Sequence, residues 1–116
     1  MRLNQTLINR GSRPFIIAEL SANHGGSIKR AKDSITMAEN AGVSAIKIQT
    51  YTPDTMTINC NSPDFLVKEG LWSGRTLYEL YSEAHTPFEW HEELFEHANN
   101  CGVTIFSTPF DETAVD

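Results

Sequence analysis

Charged and polar side chains stand near the ends of two apolar runs of the chain. The first run, residues 14–20, carries Glu19, and the second, residues 44–51, carries Lys47 and Gln49. A lysine can bind an anionic substrate, and a neighbouring carboxylate can move a proton or hold a metal-bound water. An unpaired charge buried in a strand costs several kcal/mol, so Lys47 must have either a partner or a ligand.

The alternation of side chains in a strand groups these residues. Ile46 and Ile48 share one face of the second run, whereas Lys47, Gln49 and Tyr51 share the other. The polar face lies toward the carboxyl end of the strand, where ligands bind in folds built from parallel strands and helices. This pattern predicts an anion-binding site at that end of the sheet.

Glu19 is expected beside Lys47, because the two runs are separated by one helical segment and neighbouring strands lie about 4.8 Å apart. The pair would then combine anion binding with proton transfer. Two other interpretations remain open at this point. The two residues could form an ordinary stabilising ion pair, or Lys47 could extend its ammonium to solvent.

The loops that follow the strands supply more candidates. Asn23 and His24 lie in the glycine-rich loop 21–26, and His24 is either a ligand, acid or base, or a solvated loop histidine. The loop does not contain a phosphate-binding glycine motif, which argues against a dinucleotide or nucleoside triphosphate site. Further candidates follow the third strand, namely Ser107, Thr108 and Phe110.

The elements that position these residues alternate between strand and helix. Ser27 is a good N-cap for a helix whose apolar stripe is Ile28, Ala31, Ile35 and Ala38, and Gly42 ends it. The strand, helix, strand order predicts two parallel strands. Residues 14–20, being continuously apolar, are predicted to be buried on both faces of the sheet.

A long connection separates the second strand from the next helix. Residues 52–63 predict an irregular loop, and residues 75–84 a short helix. Thr86, with Glu89 three residues later, predicts a capping box for the next helix, with Pro87 as its first residue. Residues 103–107 predict a third strand, and Asp111 could cap a third helix. The fold is therefore α/β, either an open doubly wound sheet or part of a (β/α)₈ barrel.

Composition excludes several classes of protein. Nine Lys and Arg against 15 Asp and Glu give the 116-residue chain a net charge of −6, so a nucleic-acid partner is not expected. No apolar stretch is long enough to cross a membrane, and the first residues lack a signal peptide, so a cytoplasmic protein is expected. Cys60 and Cys101 predict free thiols in a reducing compartment. A complete barrel takes about 250 residues, so the chain holds at most its first part.

These motifs together resemble the sialic acid synthase family. The similar stretches are residues 15–26, 45–51 and 105–110. Within that family the chain is more similar to the pseudaminic acid synthases, through residues 51–57, 70–81 and 83–91. The resemblance covers residues 14–116 and implies that the chain is the N-terminal part, two to three βα units, of a (β/α)₈ TIM barrel.

The resemblance also implies a reaction. Phosphoenolpyruvate condenses with the open-chain aldehyde of an acylamino sugar, and a divalent metal, Mn²⁺ or Mg²⁺, polarises the aldehyde. In the pseudaminic acid synthases the sugar is 2,4-diacetamido-2,4,6-trideoxy-L-altrose. Lys47 matches the lysine that binds phosphoenolpyruvate, Glu19 a glutamate beside the metal and the reacting carbons, and Gln49 a sugar-contacting glutamine. Thr108 and Phe110 match the acyl pocket.

The remaining implications concern parts of the family that these 116 residues lack. The family's metal ligands, a C-terminal antifreeze-like domain and the homodimer of the intact enzyme are expected to depend on residues beyond 116. The chain alone is therefore expected to be inactive. Two alternatives stay open: an N-acetylneuraminate or legionaminic acid synthase of the same family, or a truncated module that only binds or assembles.

Overall fold

The computed structural model describes residues 1–3 and 6–115. Its strands are Arg2–Leu3 (β1), Thr6–Leu7 (β2), Ile17–Ser21 (β3), Ala45–Thr50 (β4) and Thr104–Pro109 (β5). Its α-helices are Ile28–Asn40 (α1), Pro53–Met56 (α2), Leu77–Ala84 (α3) and His91–Cys101 (α4). Single 3-10 turns cover Pro63–Phe65, Phe88–Trp90 and Glu112–Ala114.

Three strands form a parallel sheet in the order β3-β4-β5. Glu19 lies opposite Lys47, and Lys47 lies opposite Phe106, so all three strands run in register at the level of the predicted pair. The helices α1 and α4 pack against each other and against the sheet. The predicted α/β class and the parallel βαβ unit are confirmed. Strands in chain order, with both long helices on one face, are typical of consecutive units of a barrel.

The core lies between this sheet and its two long helices. Ile46 and Ile48 from β4 meet Ile35 from α1 and Leu94 from α4, and none of the four exceeds 1% exposure. Each such side chain contributes about 1.5–3 kcal/mol on burial. The opposite face of the sheet carries Lys47 and Gln49, so the alternation predicted for β4 is confirmed. No described helix has both the length and the hydropathy of a membrane span.

The boundaries of α1 follow the sequence closely. The Ser27 side chain accepts a hydrogen bond from the Arg30 backbone N–H, as an N-cap does. Ala31 and Ile35 are fully buried on the predicted stripe. Gly42 follows the helix at φ +79°, a conformation that favours glycine. Asp111 likewise caps the turn Glu112–Ala114 by accepting from the Ala114 N–H.

The burial predicted for the first strand is wrong. β3 begins at Ile17, and Ile16 and Ile17 remain 54% and 46% exposed. β3 is an edge of the three-stranded sheet. The two long helices cover one face of the sheet, and Ile17 lies on the other face together with Glu19. The continuous apolar run predicted burial on both faces, but the described residues cover only one of them.

The capping box predicted at Thr86 and Glu89 is also wrong. The segment begins with the 3-10 turn Phe88–Trp90, and α4 follows without a side-chain cap. The Thr86 hydroxyl instead bonds the His24 ring across the fold. The Thr86 hydroxyl therefore bonds a residue distant in the chain instead of capping the helix, as the local sequence had predicted.

The connection between β4 and α4 is more regular than predicted. Residues 52–63, expected to be irregular, include the one-turn helix α2. The predicted second helix is present as α3, where Thr76 and Glu79 form a reciprocal capping box. α2 and α3 contact each other, so the connection folds as a packed segment beside the carboxyl ends of the strands.

Candidate active site

Glu19 and Lys47 form an ion pair at the centre of the open face of the sheet. Lys47 Nζ lies 2.6 Å from Glu19 Oε2, and the two side chains are 45% (Glu19) and 34% (Lys47) exposed. The second carboxylate oxygen, Oε1, accepts a hydrogen bond from the Ser21 backbone N–H at 3.0 Å. The predicted neighbourhood of Glu19 and Lys47 is confirmed. Their partial exposure leaves the ammonium accessible to an anion from the open face.

Gln49 lies one step closer to the carboxyl end on the same face. Its Oε1 accepts a hydrogen bond from the Ser21 hydroxyl. In the register of the sheet Gln49 lies opposite Thr108, which therefore shares this face. Glu19, Lys47, Gln49 and Thr108 thus lie on one surface formed by three adjacent strands.

Tyr51 forms an aromatic wall at the end of β4. The ring is 3% exposed and makes edge contacts with Phe110 and Tyr81, at centroid distances of 5.7 and 5.8 Å. Burial, with a smaller contribution from Tyr81, raises the pKa of Tyr51 above its ordinary value of 10.0. Tyr51 is therefore a neutral phenol at physiological pH. Its contact with Phe110 brings the predicted pocket-lining phenylalanine to the same end of the sheet.

A cavity of about 470 Å³ opens beside Gln49. Asn23, Gln49 and Tyr51, all predicted site residues, line it. The remaining wall comes from residues that the sequence reasoning did not single out, including Arg30, Trp72, Tyr81 and Glu83. The signal that could have found the last three is the length of the 52–85 connection, because long loops after strands in such folds carry binding residues.

His24 does not reach the cavity. Its ring is 1% exposed and packs edge-on against Trp90, with centroids 5.1 Å apart. Nδ1 accepts from the Gly26 N–H at 3.2 Å, so Nε2 carries the proton and donates to Thr86 Oγ1 at 3.1 Å. Burial, and secondarily His85, lowers the pKa of His24. His24 is a neutral link between the first loop and the start of α4, not the solvated loop histidine considered above.

Ser107 lies on the opposite face from the other candidates. It shares the helix-facing side of β5 with Ile105, which is part of the core. Its hydroxyl bonds Thr50, whose Oγ1 lies 2.6 Å from His91 Nε2. The structure therefore does not bring Ser107 to Lys47, and this hydrogen-bonded chain joins β5, β4 and α4 instead.

The described residues do not form a metal centre of their own. Within residues 1–3 and 6–115, no group of three or more His, Cys, Asp or Glu side chains could hold a cation. Both oxygens of Glu19 already have partners, Lys47 and Ser21. The arrangement can bind an anion, orient a polar substrate and exchange a proton.

Comparison with known proteins extends this picture. A pseudaminic acid synthase of Campylobacter jejuni is 55% identical over 108 residues, 93% of this chain and 32% of that protein. An N,N'-diacetyllegionaminic acid synthase of Legionella pneumophila is 34% identical over 102 residues, 88% of this chain and 29% of that protein. The chain spans about a third of the length of the curated relatives it matches.

The fold has solved counterparts. The crystal structure of an N-acetylneuraminic acid synthetase from Leptospira borgpetersenii, in complex with citrate, superposes with a TM-score of 0.77 and 25% identity. The match covers 99% of this chain and 35% of that one. The α/β arrangement is therefore that of the first part of such a synthase. The model of the NeuB family matches residues 34–116, most of the chain, and the chain belongs to that family.

Proposed function

We propose that residues 1–116 form the N-terminal part of a (β/α)₈ synthase that makes pseudaminic acid. The substrates would be phosphoenolpyruvate and 2,4-diacetamido-2,4,6-trideoxy-L-altrose. The observation that carries the proposal is the difference in identity between relatives, 55% to a pseudaminic acid synthase against 34% to a legionaminic acid synthase. The two matches cover similar shares of the chain, so the difference bears on substrate preference.

The proposed reaction balances as a condensation followed by hydrolysis. C3 of phosphoenolpyruvate forms a bond to the aldehyde carbon of the open-chain sugar, and the aldehyde oxygen gains a proton. Water adds to C2, and the C2–O bond to phosphate breaks in the resulting tetrahedral intermediate. The products are the nonulosonic acid and inorganic phosphate.

The Glu19–Lys47 pair suits the charges of this reaction. The Lys47 ammonium would bind the phosphate or carboxylate of phosphoenolpyruvate, exchanging part of its contact with Glu19 for the substrate anion. The Glu19 carboxylate, held by Lys47 and by the Ser21 N–H, would accept a proton from the attacking water or orient it. Because their charged atoms lie 2.6 Å apart, both groups could contact the same bound substrate.

The sugar would lie further along the same face. The Gln49 amide lines the cavity of about 470 Å³ and would bind a polar group of the sugar. Thr108 lies opposite Gln49, and Phe110 packs on Tyr51. Thr108 and Phe110 would form the pocket for an acyl group, and Asn23 would contact the sugar from the first loop.

The proposal includes a divalent cation, Mn²⁺ or Mg²⁺, whose ligands would come mostly from residues beyond 116. The described residues do not fit such an ion by themselves, because both Glu19 oxygens are engaged and Glu19 belongs to no group of three or more His, Cys, Asp or Glu side chains that could hold it. The roles given to Lys47, Glu19 and Gln49 are therefore restricted to binding, orientation and proton transfer. The remaining barrel strands, an antifreeze-like domain, a homodimer and a cytoplasmic location complete the proposal.

Phosphate release tests the substrate. The intact synthase that contains residues 1–116 is mixed with phosphoenolpyruvate, Mn²⁺ and one of three sugars. The sugars are the diacetamido altrose, N-acetylmannosamine and the legionaminic acid precursor. We expect the altrose to give the highest kcat/KM. A higher value with either of the other sugars would transfer the assignment to that branch of the family, and no release with any of them would refute a synthase.

The 116-residue chain alone provides a second test. We expect no metal-dependent phosphate release from it, because the described residues supply the Glu19–Lys47 pair but no group of three or more side chains that could hold a cation. Turnover by the chain alone would show that these residues suffice for catalysis. A truncated module that only binds would bind phosphoenolpyruvate as the 116-residue chain and release no phosphate.

A further inference from the structure

Ser21 has an unusual backbone at the end of β3. Its φ is +54°, and it is the one non-glycine position in residues 1–3 and 6–115 with a positive φ. The pairing of β3 with β4 shifts at the same place: Glu19 lies opposite Lys47, but Ser21 lies opposite Ile48. Bulges of this kind re-aim a side chain near the end of a strand. A non-glycine residue keeps such a conformation only where its surroundings impose it.

This conformation brings Ser21 to two of the proposed site residues at once. Its backbone N–H donates to Glu19 Oε1 at 3.0 Å, and its hydroxyl donates to Gln49 Oε1. We infer that Ser21 is a positioning residue that holds the Glu19 carboxylate and the Gln49 amide in the orientations that the substrates need. The inference rests on the proposed function for the identity of those substrates.

The hydroxyl decides which end of the Gln49 amide faces the sugar. Because the Ser21 hydroxyl donates to Oε1, the Nε2 group is directed away from Ser21, and no other described residue hydrogen-bonds the Gln49 amide. Both residues line the cavity of about 470 Å³. An amide N–H presented there selects an acceptor, such as the carbonyl oxygen of an acylamino group. Without the hydroxyl, the amide could rotate and present its oxygen instead.

Two substitutions separate this role from a structural one. Ser21→Gly keeps the backbone N–H that contacts Glu19 and suits the positive φ, but it removes the hydroxyl. Ser21→Asn also tolerates the positive φ and retains a side-chain donor. Both are introduced into the intact synthase, and steady-state phosphate release is measured while the altrose and phosphoenolpyruvate are varied separately.

We expect Ser21→Gly to raise KM for the sugar about fivefold to tenfold, the contribution of one oriented hydrogen bond. KM for phosphoenolpyruvate should stay within about twofold, because the contacts of Glu19 with Lys47 and with the backbone remain. The melting temperature should not fall, since glycine relieves the backbone. Ser21→Asn should restore most of the sugar affinity. In a Gln49→Leu background, Ser21→Gly should have no further effect.

The outcomes distinguish this inference from the proposed function. An active wild type with an unchanged sugar KM in Ser21→Gly refutes the inference alone, as does an effect of equal size in the Gln49→Leu background. If the wild type releases no phosphate with any sugar, the proposed function fails. The positioning role is then decided by the side-chain amide NMR signals of Gln49: a shift between wild type and Ser21→Gly supports it, and identical signals refute it.

Discussion

Replacing Lys47 by methionine distinguishes a substrate-binding ion pair from one that only stabilises the fold. Unit charges 2.6 Å apart attract by about 1.6 kcal/mol at the dielectric constant of water. The side chains of Glu19 and Lys47 are 45% and 34% exposed, so solvent screening and side-chain entropy remove much of this attraction. We therefore expect Lys47→Met to lower the free energy of unfolding by less than about 1 kcal/mol.

The effect on catalysis should be much larger. A hydrogen bond from an ammonium to a phosphate or carboxylate contributes about 1.5–3 kcal/mol. Losing it should raise KM for phosphoenolpyruvate about 10- to 150-fold. Urea unfolding gives the first quantity, and phosphate release by the intact protein at varied phosphoenolpyruvate gives the second.

Lys32→Met is the matched control. Lys32 pairs with Glu93 between α1 and α4, with side-chain exposures of 28% and 53%, on the side of the sheet away from the candidate site. Lys32→Met should lower the free energy of unfolding by a similar amount and leave KM for phosphoenolpyruvate unchanged. If Lys47→Met destabilises the protein by more than about 3 kcal/mol while KM for phosphoenolpyruvate stays at the wild-type value, the ion pair stabilises the fold and does not bind the substrate.

Three further predictions concern the fold. Burial lowers the pKa of His24 below its ordinary value of 6.5, so the unfolded chain binds a proton that the folded chain excludes, and the free energy of unfolding should fall as pH drops below about 6.5. His24→Asn should flatten this slope in thermal melts, and an unchanged slope would contradict the assignment. Ile35→Ala, at a fully buried site, should cost about 2–5 kcal/mol in urea unfolding, against less than about 0.5 kcal/mol for exposed Met37→Ala. Gly102→Ala, at φ +80°, should cost about 1–2 kcal/mol, and equal stabilities of Gly102→Ala and Gly11→Ala would show that the left-handed conformation imposes no strain.

The features that the sequence predicts well are those set by local periodicity. The cap and stripe of α1 depend on neighbours within one or two turns, and the face of Lys47 follows from alternation along β4. The Glu19–Lys47 contact needed only the further rule that adjacent parallel strands lie side by side. The first two can be derived from residues that are neighbours in the chain, and the third needs only the order of strand, helix and strand.

The features that were missed depend on partners distant in the chain. Thr86 has every local property of a helix cap, but its hydroxyl bonds His24, which lies 62 residues away. Ser107 follows an apolar strand like its neighbours, yet which face it occupies depends on where Ile105 enters the core. The bulge at Ser21 has no signal in composition, because glycine and not serine is the residue typical of a positive φ.

The two hydrogen bonds at the ends of the 52–85 connection determine which part of the cavity wall can vary. On one side of the connection Thr50 bonds His91, and on the other Thr86 bonds His24. The connection leaves β4 and leads to α4, and both of its ends are thus anchored by residues outside 52–85. Each doubling in the length of a flexible stretch between fixed ends costs only about 0.6 kcal/mol. The segment that contributes Trp72 and Tyr81 to the cavity wall can therefore vary in length while the strands of the sheet keep their register, so the shape of the cavity can change without a change in the sheet.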